Sequence, residues 1–213
     1  MRPDVTTATE TIRPARSARD VELARALFVE YAAWLKVDLC FQDFERELAT
    51  LPGAYAPPRG RLLLAGGADD AFGCIALRPL VGPDLAGHAV GPDKSGQAMR
   101  MNSHLRPDLS APDCVAGEVK RLYVQPQRRG EGWGARLARE LLRQAQAIGY
   151  RELRLDTLAW MSEARALYAR LGFRESAPYY DNPLDGAVYM SLALASSEPA
   201  ESDTRANSTE NHP

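Results

Sequence analysis

Apolar residues recur at helical spacing in four segments of this 213-residue chain. Ser17, with Asp20 three residues later, has the form of a capping box and marks the start of the first segment. The apolar residues of that segment are Ala24, Leu27, Phe28, Tyr31, Trp34 and Leu35. The other three segments are FQDFERELATL, ARLARELLRQAQAIG and SEARALYARLG, the last ending at Gly172. We predict an amphipathic helix in each.

Short apolar runs predict six strands, namely TIRPA, RLLLAGG, AFGCIALRPL, CVAGEVKRLYV, RELRLDTL and GAVYMSLAL. A Gly-Asp-rich turn separates the second run from the third, which is typical of a hairpin. The order of elements is strand, two helices, hairpin, strand, helix, strand, helix, strand. This order predicts a single mixed α/β domain with one βαβ unit at its centre.

Three polar segments lie around or within this domain. Residues 1–9 and the end from Ala195 offer little to bury, so we predict a disordered leader and a disordered tail (195–213) around a domain spanning residues 10–194. Residues 81–113 form a connection too long for a compact domain, either a mobile flap beside a site or an unstructured insertion. His88 and His104 fall in this loop without a partner motif, so neither is assigned a role.

Composition narrows the class of protein. The chain carries 26 Lys and Arg against 28 Asp and Glu, with the two signs interspersed, so nucleic acid is not expected as a partner. Cys40, Cys74 and Cys114 are odd in number and have no CxxC spacing, which argues against a disulfide framework and a zinc site. We therefore expect no metal. No apolar run has the length of a signal peptide or a membrane span, and we expect a cytoplasmic protein that does not bind membranes.

The segment QRRGEGWGARL, residues 127–137, places glycines where a helix must begin. Each glycine costs a helix about 1 kcal/mol relative to alanine, so their alternation needs a reason. A strand, a glycine-rich turn and a helix together direct free N–H groups and the positive end of the helix dipole toward one point, which attracts an anion such as pyrophosphate. The spacing fits neither the P-loop nor the dinucleotide fingerprint, and a tight turn without a ligand is the alternative. The glycines are Gly130, Gly132 and Gly134.

The longer segment LYVQPQRRGEGWGARL resembles the acetyl-CoA-binding motif of the GNAT superfamily of N-acetyltransferases, Q/R-x-x-G-x-G/A, with Arg129, Gly132 and Gly134 at its marked positions. ARALYARLGF is similar to the family's next motif, and IRPARSARDVELARALF is similar to its first strand and helix. The resemblance covers residues 10–194 apart from the long loop. It implies a single-domain GNAT-like fold, in which a mixed central sheet with a splayed βαβ coenzyme site is flanked by helices.

The resemblance also implies acetyl-CoA as cosubstrate. Its pantetheine arm would lie along RLYV and form hydrogen bonds with main-chain groups of Leu122 and Val124, which are free to pair if this strand splays from RELRLDTL. A main-chain N–H of Leu122 or Tyr123 would stabilise the oxyanion. Where the family often has an asparagine that helps to hold the pantetheine, this chain has Met161. The residues predicted to hold the pyrophosphate are Arg128, Arg129, Gly130, Glu131, Gly132, Trp133 and Gly134.

Two residues carry the predicted chemistry of transfer. Tyr168 falls at the family's general-acid position, and a phenol with an ordinary pKa of about 10 can protonate a thiolate of similar basicity. Packing of its ring in the core is the alternative. Glu118 falls where some members carry a general base, with its pKa raised by partial desolvation. The alternative for Glu118 is a surface glutamate paired with Lys120 or Arg121.

By analogy, the first two helices, Gly60 with Arg61, and the segment PYYDNPLDGAVYM should border the acceptor cleft. Tyr179, Tyr180 and Asn182 can shape it, although both tyrosines are equally compatible with strand pairing. Aromatic walls with few fixed charges favour a small-molecule amine or an amino acid derivative. We therefore predict an N-acetyltransferase that acts by direct transfer, and the alternative is a catalytically weak or inactive CoA-binding sensor or partner module. A homodimer is common among similar proteins, but no residue here indicates one.

Overall fold

The computed structural model describes residues 10–37, 39, 42–67, 69–80 and 116–195. In chain order its elements are β1 (Thr11–Pro14), α1 (Ala18–Leu35), α2 (Phe44–Thr50), β2 (Arg61–Gly66), β3 (Gly73–Leu80), β4 (Ala116–Val124), α3 (Trp133–Ile148), β5 (Glu152–Leu158), α4 (Ser162–Arg170), β6 (Arg174–Glu175) and β7 (Ala187–Ala193), with 3-10 turns at Gly53–Tyr55 and Pro126–Arg128. The predicted order of helices and strands is confirmed. The structure adds β6, which at two residues is too short to have a hydrophobic pattern.

Several sequence predictions concern residues outside the described ranges. They include the leader 1–9, the loop 81–113, the tail beyond Ala195, and the residues His88, His104, Cys40 and Cys114. The domain boundaries drawn from these segments therefore remain predictions.

The strands form one seven-stranded sheet in the order β1-β2-β3-β4-β5-β7-β6. Neighbouring strands are antiparallel except β4 and β5, which are parallel and are connected through α3. A mixed sheet with one βαβ unit and flanking helices confirms the predicted α/β class.

The two faces of the sheet are covered by different helices. On one face, strand residues Leu62, Leu64, Cys74 and Ala76 belong to a core with Ala24, Leu27 and Phe28 of α1. On the other face, Leu63, Ile75, Leu77, Val119, Leu153 and Leu155 belong to a core with Leu137 and Leu141 of α3 and Tyr168 of α4. Successive strand residues alternate between these two cores, as the two-residue period of a strand requires.

The predicted capping box fixes the start of α1. The Ser17 hydroxyl accepts a hydrogen bond from the Asp20 backbone N–H, and the Asp20 carboxylate accepts one from the Ser17 N–H. Arg13 of β1 also forms an ion pair with Asp20. This contact ties the first strand to the helix that borders the functional site described below.

The parallel pairing of β4 and β5 is short. Residues 116–118 pair with residues 152–154, and beyond them the two strands separate. Arg121 in β4 has a left-handed backbone with φ of 58°, and the pairing with β3 shifts register between Cys74 and Ala76. These features define a β-bulge that bends β4 away from β5. The second half of β4 is therefore open toward β5, as the predicted splay requires.

Candidate active site

A cleft that is open to solvent lies where β4 and β5 separate, with about 600 Å³ of free space when the open solvent at its mouth is included. Helix α1 borders it from one face of the sheet and α4 from the other, so that groups from both faces meet in the gap. The residues that line it are Tyr31, Leu35, Leu39, Gln42, Val119, Lys120, Arg121, Leu122, Asp156, Thr157, Leu158, Met161, Ala164, Tyr168 and Leu184.

The glycine motif forms the turn into α3. Gly130 and Gly132 both have φ of 80°, a left-handed conformation that side chains rarely adopt, and no atom lies within 4 Å of where a Cβ would stand. Gly132 is the N-cap of α3, and no side chain caps the helix. Gly134 differs, because its φ is not positive and a Cβ there would be in ordinary contact with Leu167 at 3.7 Å. The first two glycines thus shape an open turn at a helix N-terminus, which suits an anion.

Arg128 has carboxylate partners within the protein. Its guanidinium donates to both oxygens of Glu10 at 2.7 and 2.6 Å and forms an ion pair with Glu131, while lying 3.9 Å from the centroid of the Phe72 ring. The positive charge expected at the rim of the turn is therefore offset by two carboxylates. Trp133 is a core residue, because its ring packs edge-on against Phe72 and only its Nε1 reaches outward, to Glu131 at 3.1 Å.

Arg129 lies along the open edge of β4. Its Nε donates to the Val124 carbonyl at 3.0 Å, and its guanidinium lies 4.5 Å from the centroid of the Trp34 ring. The Trp34 ring in turn packs against the exposed Trp160 at 5.7 Å. One of the main-chain groups expected to bind pantetheine is thus occupied by the side chain expected to bind pyrophosphate.

The remaining predicted coenzyme residues of β4 lie next to the bulge. Leu122 lines the cleft. The Tyr123 ring is turned away from it and packs against Tyr31 and Trp34 of α1. Both residues follow Arg121, so the main-chain groups expected to bind the oxyanion lie where the strand leaves its regular pairing.

Tyr168 combines both roles that the sequence left open. Its ring packs edge-on against Phe173 at 5.6 Å within the core, yet the residue also lines the cleft. In the described part of the chain, its hydroxyl has no hydrogen-bond partner. Burial raises the pKa of this phenol above its ordinary value. The hydroxyl is therefore kept protonated beside the cleft.

Glu118 pairs with Lys120, as the second sequence interpretation proposed, but it is buried and not a surface residue. Its side chain is 1% exposed and does not line the cleft. Its carboxylate accepts hydrogen bonds from Arg78 Nε at 2.6 Å and from the Tyr179 hydroxyl at 2.8 Å, with Lys120 Nζ at 3.5 Å. Burial raises the pKa of Glu118, but the charges of Lys120 and Arg78 and these hydrogen bonds outweigh it and lower the pKa to about 2. The expected upward shift of this pKa is wrong, and Glu118 is a buried anion.

A buried ion pair holds the bulge of β4. The Arg121 guanidinium donates through Nε and through a terminal nitrogen to the Glu47 carboxylate of α2. The Tyr55 hydroxyl donates to the same carboxylate at 2.6 Å, and the Phe44 ring lies 5.1 Å from the guanidinium. Glu47 is 74 residues from Arg121 in the chain, so the sequence pattern indicated only the nearby Glu118 as a partner of Arg121.

A polar group in the cleft was also missed. Lys120 Nζ lies 3.2 Å from Asp156 Oδ1, and Asn182 Nδ2 donates to Asp156 Oδ2 at 3.2 Å and to the Tyr180 hydroxyl at 3.0 Å. Asp156 and Lys120 lie two residues beyond the paired positions Arg154 and Glu118, so the parallel register sets them opposite each other. The signal was present in RELRLDTL, where charged residues alternate with buried leucines.

Two further expectations concern the borders of the cleft. Gly60 and Arg61 do not line it. Met161 does line it, as the N-cap residue of α4, and its sulfur lies 3.6 Å from the Thr157 hydroxyl.

In the described residues, no group of three or more His, Cys, Asp or Glu side chains is arranged to hold a metal ion. No helix in the same ranges has the length and apolar character needed to cross a membrane.

Comparison with known proteins places this geometry in a family. The family described as "Acetyltransferase (GNAT) domain" matches residues 58–175. An uncharacterised N-acetyltransferase of Schizosaccharomyces pombe is 31% identical over 186 residues, which are 87% of this chain and 95% of the relative.

Solved structures share the fold. A GNAT-family acetyltransferase of Staphylococcus aureus has a TM-score of 0.61 at 16% identity, covering 88% of this chain and 100% of that protein. Arabidopsis thaliana NAA60, solved in complex with acetyl-CoA, has a TM-score of 0.57 at 14% identity, covering 87% of this chain and 99% of NAA60. The separated strands and the glycine turn agree with the family match. The chain therefore belongs to the GNAT superfamily of N-acetyltransferases.

Proposed function

We propose that this protein transfers the acetyl group of acetyl-CoA directly to the amine of a small molecule. One observation carries the proposal: the gap between β4 and β5 joins an open glycine turn to a cleft that Tyr168 and Asp156 border from opposite sides of the sheet. A thioester entering along β4 would lie between these two groups.

The coenzyme would occupy the open edge of β4 and the turn into α3. The left-handed Gly130 and Gly132 and the uncapped N-terminus of α3 offer main-chain N–H groups to the pyrophosphate. The pantetheine would pair with main-chain groups of Leu122 and Val124 as an added strand does. To reach the Val124 carbonyl it must displace the Arg129 guanidinium, which would then be free to meet the phosphates. A structural neighbour that holds acetyl-CoA supports this choice of cosubstrate.

The chemistry assigned to Tyr168 is protonation of the departing thiolate. Its hydroxyl has no hydrogen-bond partner in the described residues and remains protonated, since burial raises its pKa. The bulge after Arg121 would direct a main-chain N–H of Leu122 or Tyr123 toward the oxyanion.

The one cysteine among the described residues, Cys74, does not suit a cysteine-bound acetyl intermediate, and we propose direct transfer. Cys74 is buried against α1 and does not line the cleft. Burial raises the pKa of its thiol, and the thiol is within 3.3 Å of the Arg121 carbonyl, so Cys74 is unsuited to act as a nucleophile.

The acceptor end of the cleft favours a small amine. Its walls include the apolar side chains of Leu35, Leu39 and Leu184 and the ring of Tyr31. The charges of Lys120 and Arg121 are matched there by Asp156 and Glu47. A compact primary amine on an uncharged body suits these walls better than a polyamine or a strongly acidic substrate.

The experiment is a free-thiol assay of the full chain with acetyl-CoA and a panel of alkylamines, arylalkylamines, amino acids, amino acid esters and short peptides. We expect thiol release that depends on a small amine with no other charged group, with the acetylated amine identified by mass spectrometry. Thiol release only with peptides would overturn the acceptor class. Acetyl-CoA binding by calorimetry without release on any amine would instead support the second function, a CoA-binding module without catalysis. That function is favoured by Met161 in place of the family's asparagine and by the weak basicity of Glu118.

A further inference from the structure

We propose that Asp156 of β5, and not Glu118 of β4, accepts the proton of the acceptor amine, and that the side-chain oxygen of Gln42 orients the ammonium. This inference rests on the proposed function, since it assigns a proton acceptor to the same cleft.

The two carboxylates differ in their access to the cleft. Asp156 lines the cleft with its side chain 12% exposed, whereas the Glu118 side chain is 1% exposed and lies behind Lys120 and Tyr179. An amine in the cleft can reach the Asp156 carboxylate directly or through one water. To reach Glu118, it would have to displace the hydrogen bond from the Tyr179 hydroxyl.

Asp156 is held in place by groups on both sides. Lys120 Nζ approaches Oδ1 at 3.2 Å, and Asn182 donates to Oδ2 at 3.2 Å. These contacts fix the carboxylate against the open side of β4, on the face of the sheet that α1 covers. Tyr168 reaches the same cleft from the opposite face, from α4. A thioester between the strands would therefore have the proton acceptor on one side and the proton donor on the other.

Gln42 supplies the second observation. Its Oε1 is buried and has no hydrogen-bond partner in the described part of the chain, although the residue lines the cleft. Its Nε2 is 3.5 Å from the Tyr180 hydroxyl, which accepts from Asn182, the residue that also holds Asp156. An unmet buried acceptor has a free-energy cost that a donor on the substrate would relieve. An ammonium between Gln42 and Asp156 would supply that donor.

The groups that face Asp156 come from every surrounding element. Lys120 and Glu118 lie on β4, Tyr31 on α1, Tyr168 on α4, Tyr189 on β7, and Tyr179 and Tyr180 in the loop before β7. Burial is the largest cause of the raised pKa of each of these tyrosines, and the Asp156 charge raises it further. The tyrosines are therefore neutral. Lys120 lies between the Asp156 and Glu118 carboxylates, and Arg78 also pairs with Glu118.

The protons balance in the following way. The ammonium gives one proton to Asp156, and the free amine attacks the thioester carbonyl carbon, forming a C–N bond. As the tetrahedral adduct collapses, the C–S bond breaks and Tyr168 gives its proton to sulfur. The second nitrogen proton returns to the tyrosinate, and the proton on Asp156 leaves to solvent. The products are the amide, the free thiol and one proton.

The test compares D156N with E118Q, with D69N as a matched control in the exposed turn between β2 and β3. The substrates are the best alkylamine of the panel and its β-trifluoro analogue, whose ammonium loses its proton at much lower pH. We expect D156N to lower kcat/KM for the alkylamine by about 100-fold or more at neutral pH. The loss should shrink as the pH rises above the pKa of the amine, and it should be small for the trifluoro analogue at every pH above the pKa of its own ammonium. A merely structural role of Asp156 would lower the rates of both amines equally.

If E118Q shows this dependence on pH and on the amine while D156N keeps full activity, Glu118 is the proton acceptor and the assignment of that role to Asp156 is overturned. If D156N does not fold, Q42L provides the test, because loss of the Gln42 oxygen should raise KM for the alkylamine while kcat and KM for acetyl-CoA stay unchanged. An unchanged KM for the alkylamine would overturn the ammonium subsite. If wild-type protein binds acetyl-CoA and acetylates no amine, the proposed function fails, and this inference fails with it. If the wild type acetylates an amine and D156N is as active as the wild type, the proposed function stands and only the role of Asp156 is overturned.

Discussion

The Tyr179 hydroxyl donates a hydrogen bond of 2.8 Å to Oε1 of Glu118 and thereby joins the loop before β7 to the last residue of β4 that pairs with β5. Arg78 of β3 binds the other oxygen of the same carboxylate at 2.6 Å. Glu118 thus connects three parts of the fold at the point where β4 and β5 begin to separate. Its charge belongs to the framework beneath the cleft, which gives it a measurable effect on stability.

We expect E118Q to remove a pH-dependent part of that stability. The pKa of Glu118 is lowered from its ordinary 4.5 to about 2 in the folded protein, so the ionised form stabilises the fold fully above pH 4.5. This contribution, about 3 kcal/mol at about 1.4 kcal/mol for each pKa unit, is lost as the pH falls through about 2. Denaturant unfolding of both proteins from neutral to acid pH should therefore show curves that converge in acid. A difference between the two proteins that is constant with pH would contradict this.

The buried ion pair of Glu47 and Arg121 should matter much more than a surface pair. Truncation in E47A leaves the buried Arg121 charge without its carboxylate, and we expect a loss of about 3 to 5 kcal/mol in the free energy of unfolding. E22A breaks the exposed pair with Arg19 and should cost less than about 1 kcal/mol. Urea denaturation measures both variants. Equal losses would show that the bulge does not depend on this pair.

If Tyr168 protonates the thiolate, removing its hydroxyl should lower the turnover rate without weakening the binding of acetyl-CoA. Y168F should lower kcat by about 100-fold or more, because the thiolate then leaves without its proton donor. The dissociation constant of acetyl-CoA should change little, and so should the thermal midpoint, since the lost hydroxyl has no hydrogen-bond partner in the described residues. Y150F removes the hydroxyl of a buried tyrosine outside the cleft and serves as the control for activity. Normal turnover by Y168F would remove this residue from the mechanism.

Substitution by alanine should affect the stability of the protein differently at Gly132 and at Gly134. G132A forces a side chain into a left-handed conformation and should cost about 1 to 2 kcal/mol of stability, with weaker binding of acetyl-CoA. G134A lies in the first turn of α3, where a Cβ meets Leu167 at an ordinary 3.7 Å. It should leave stability unchanged or raise it by up to about 1 kcal/mol. Thermal unfolding and calorimetry with acetyl-CoA test the pair, and a costlier G134A would show that the turn is differently built.

Local sequence patterns were sufficient to predict the helices and strands and part of the candidate active site. The capping box of Ser17 and Asp20, the hairpin and the left-handed Gly132 all follow from short-range chemistry that neighbouring residues specify. The position of Tyr168 beside the cleft followed from a motif resemblance and the spacing of its helix.

Long-range partners could not be predicted in the same way. The left-handed conformation of Arg121 has no local signal, and Glu47, the partner of its side chain, is 74 residues away. The lowered pKa of Glu118 depends on Lys120, two residues away, but also on Arg78 and Tyr179, which lie 40 and 61 residues away. The sequence shows Glu118, Lys120 and Arg121 close together on one strand, and only the folded sheet shows the distant groups that compensate their charges.

The short pairing of β4 with β5 divides the sheet into a group of four strands and a group of three, connected along this seam by residues 116–118 and 152–154 and by the bridge from Lys120 to Asp156. An extended cosubstrate lying in the seam would supply the main-chain bonds that the two strands do not make with each other. A bound cosubstrate would then hold the two groups of strands together. Amide hydrogens in β5 and β7 should therefore exchange more slowly in the protein with bound cosubstrate than in the free protein.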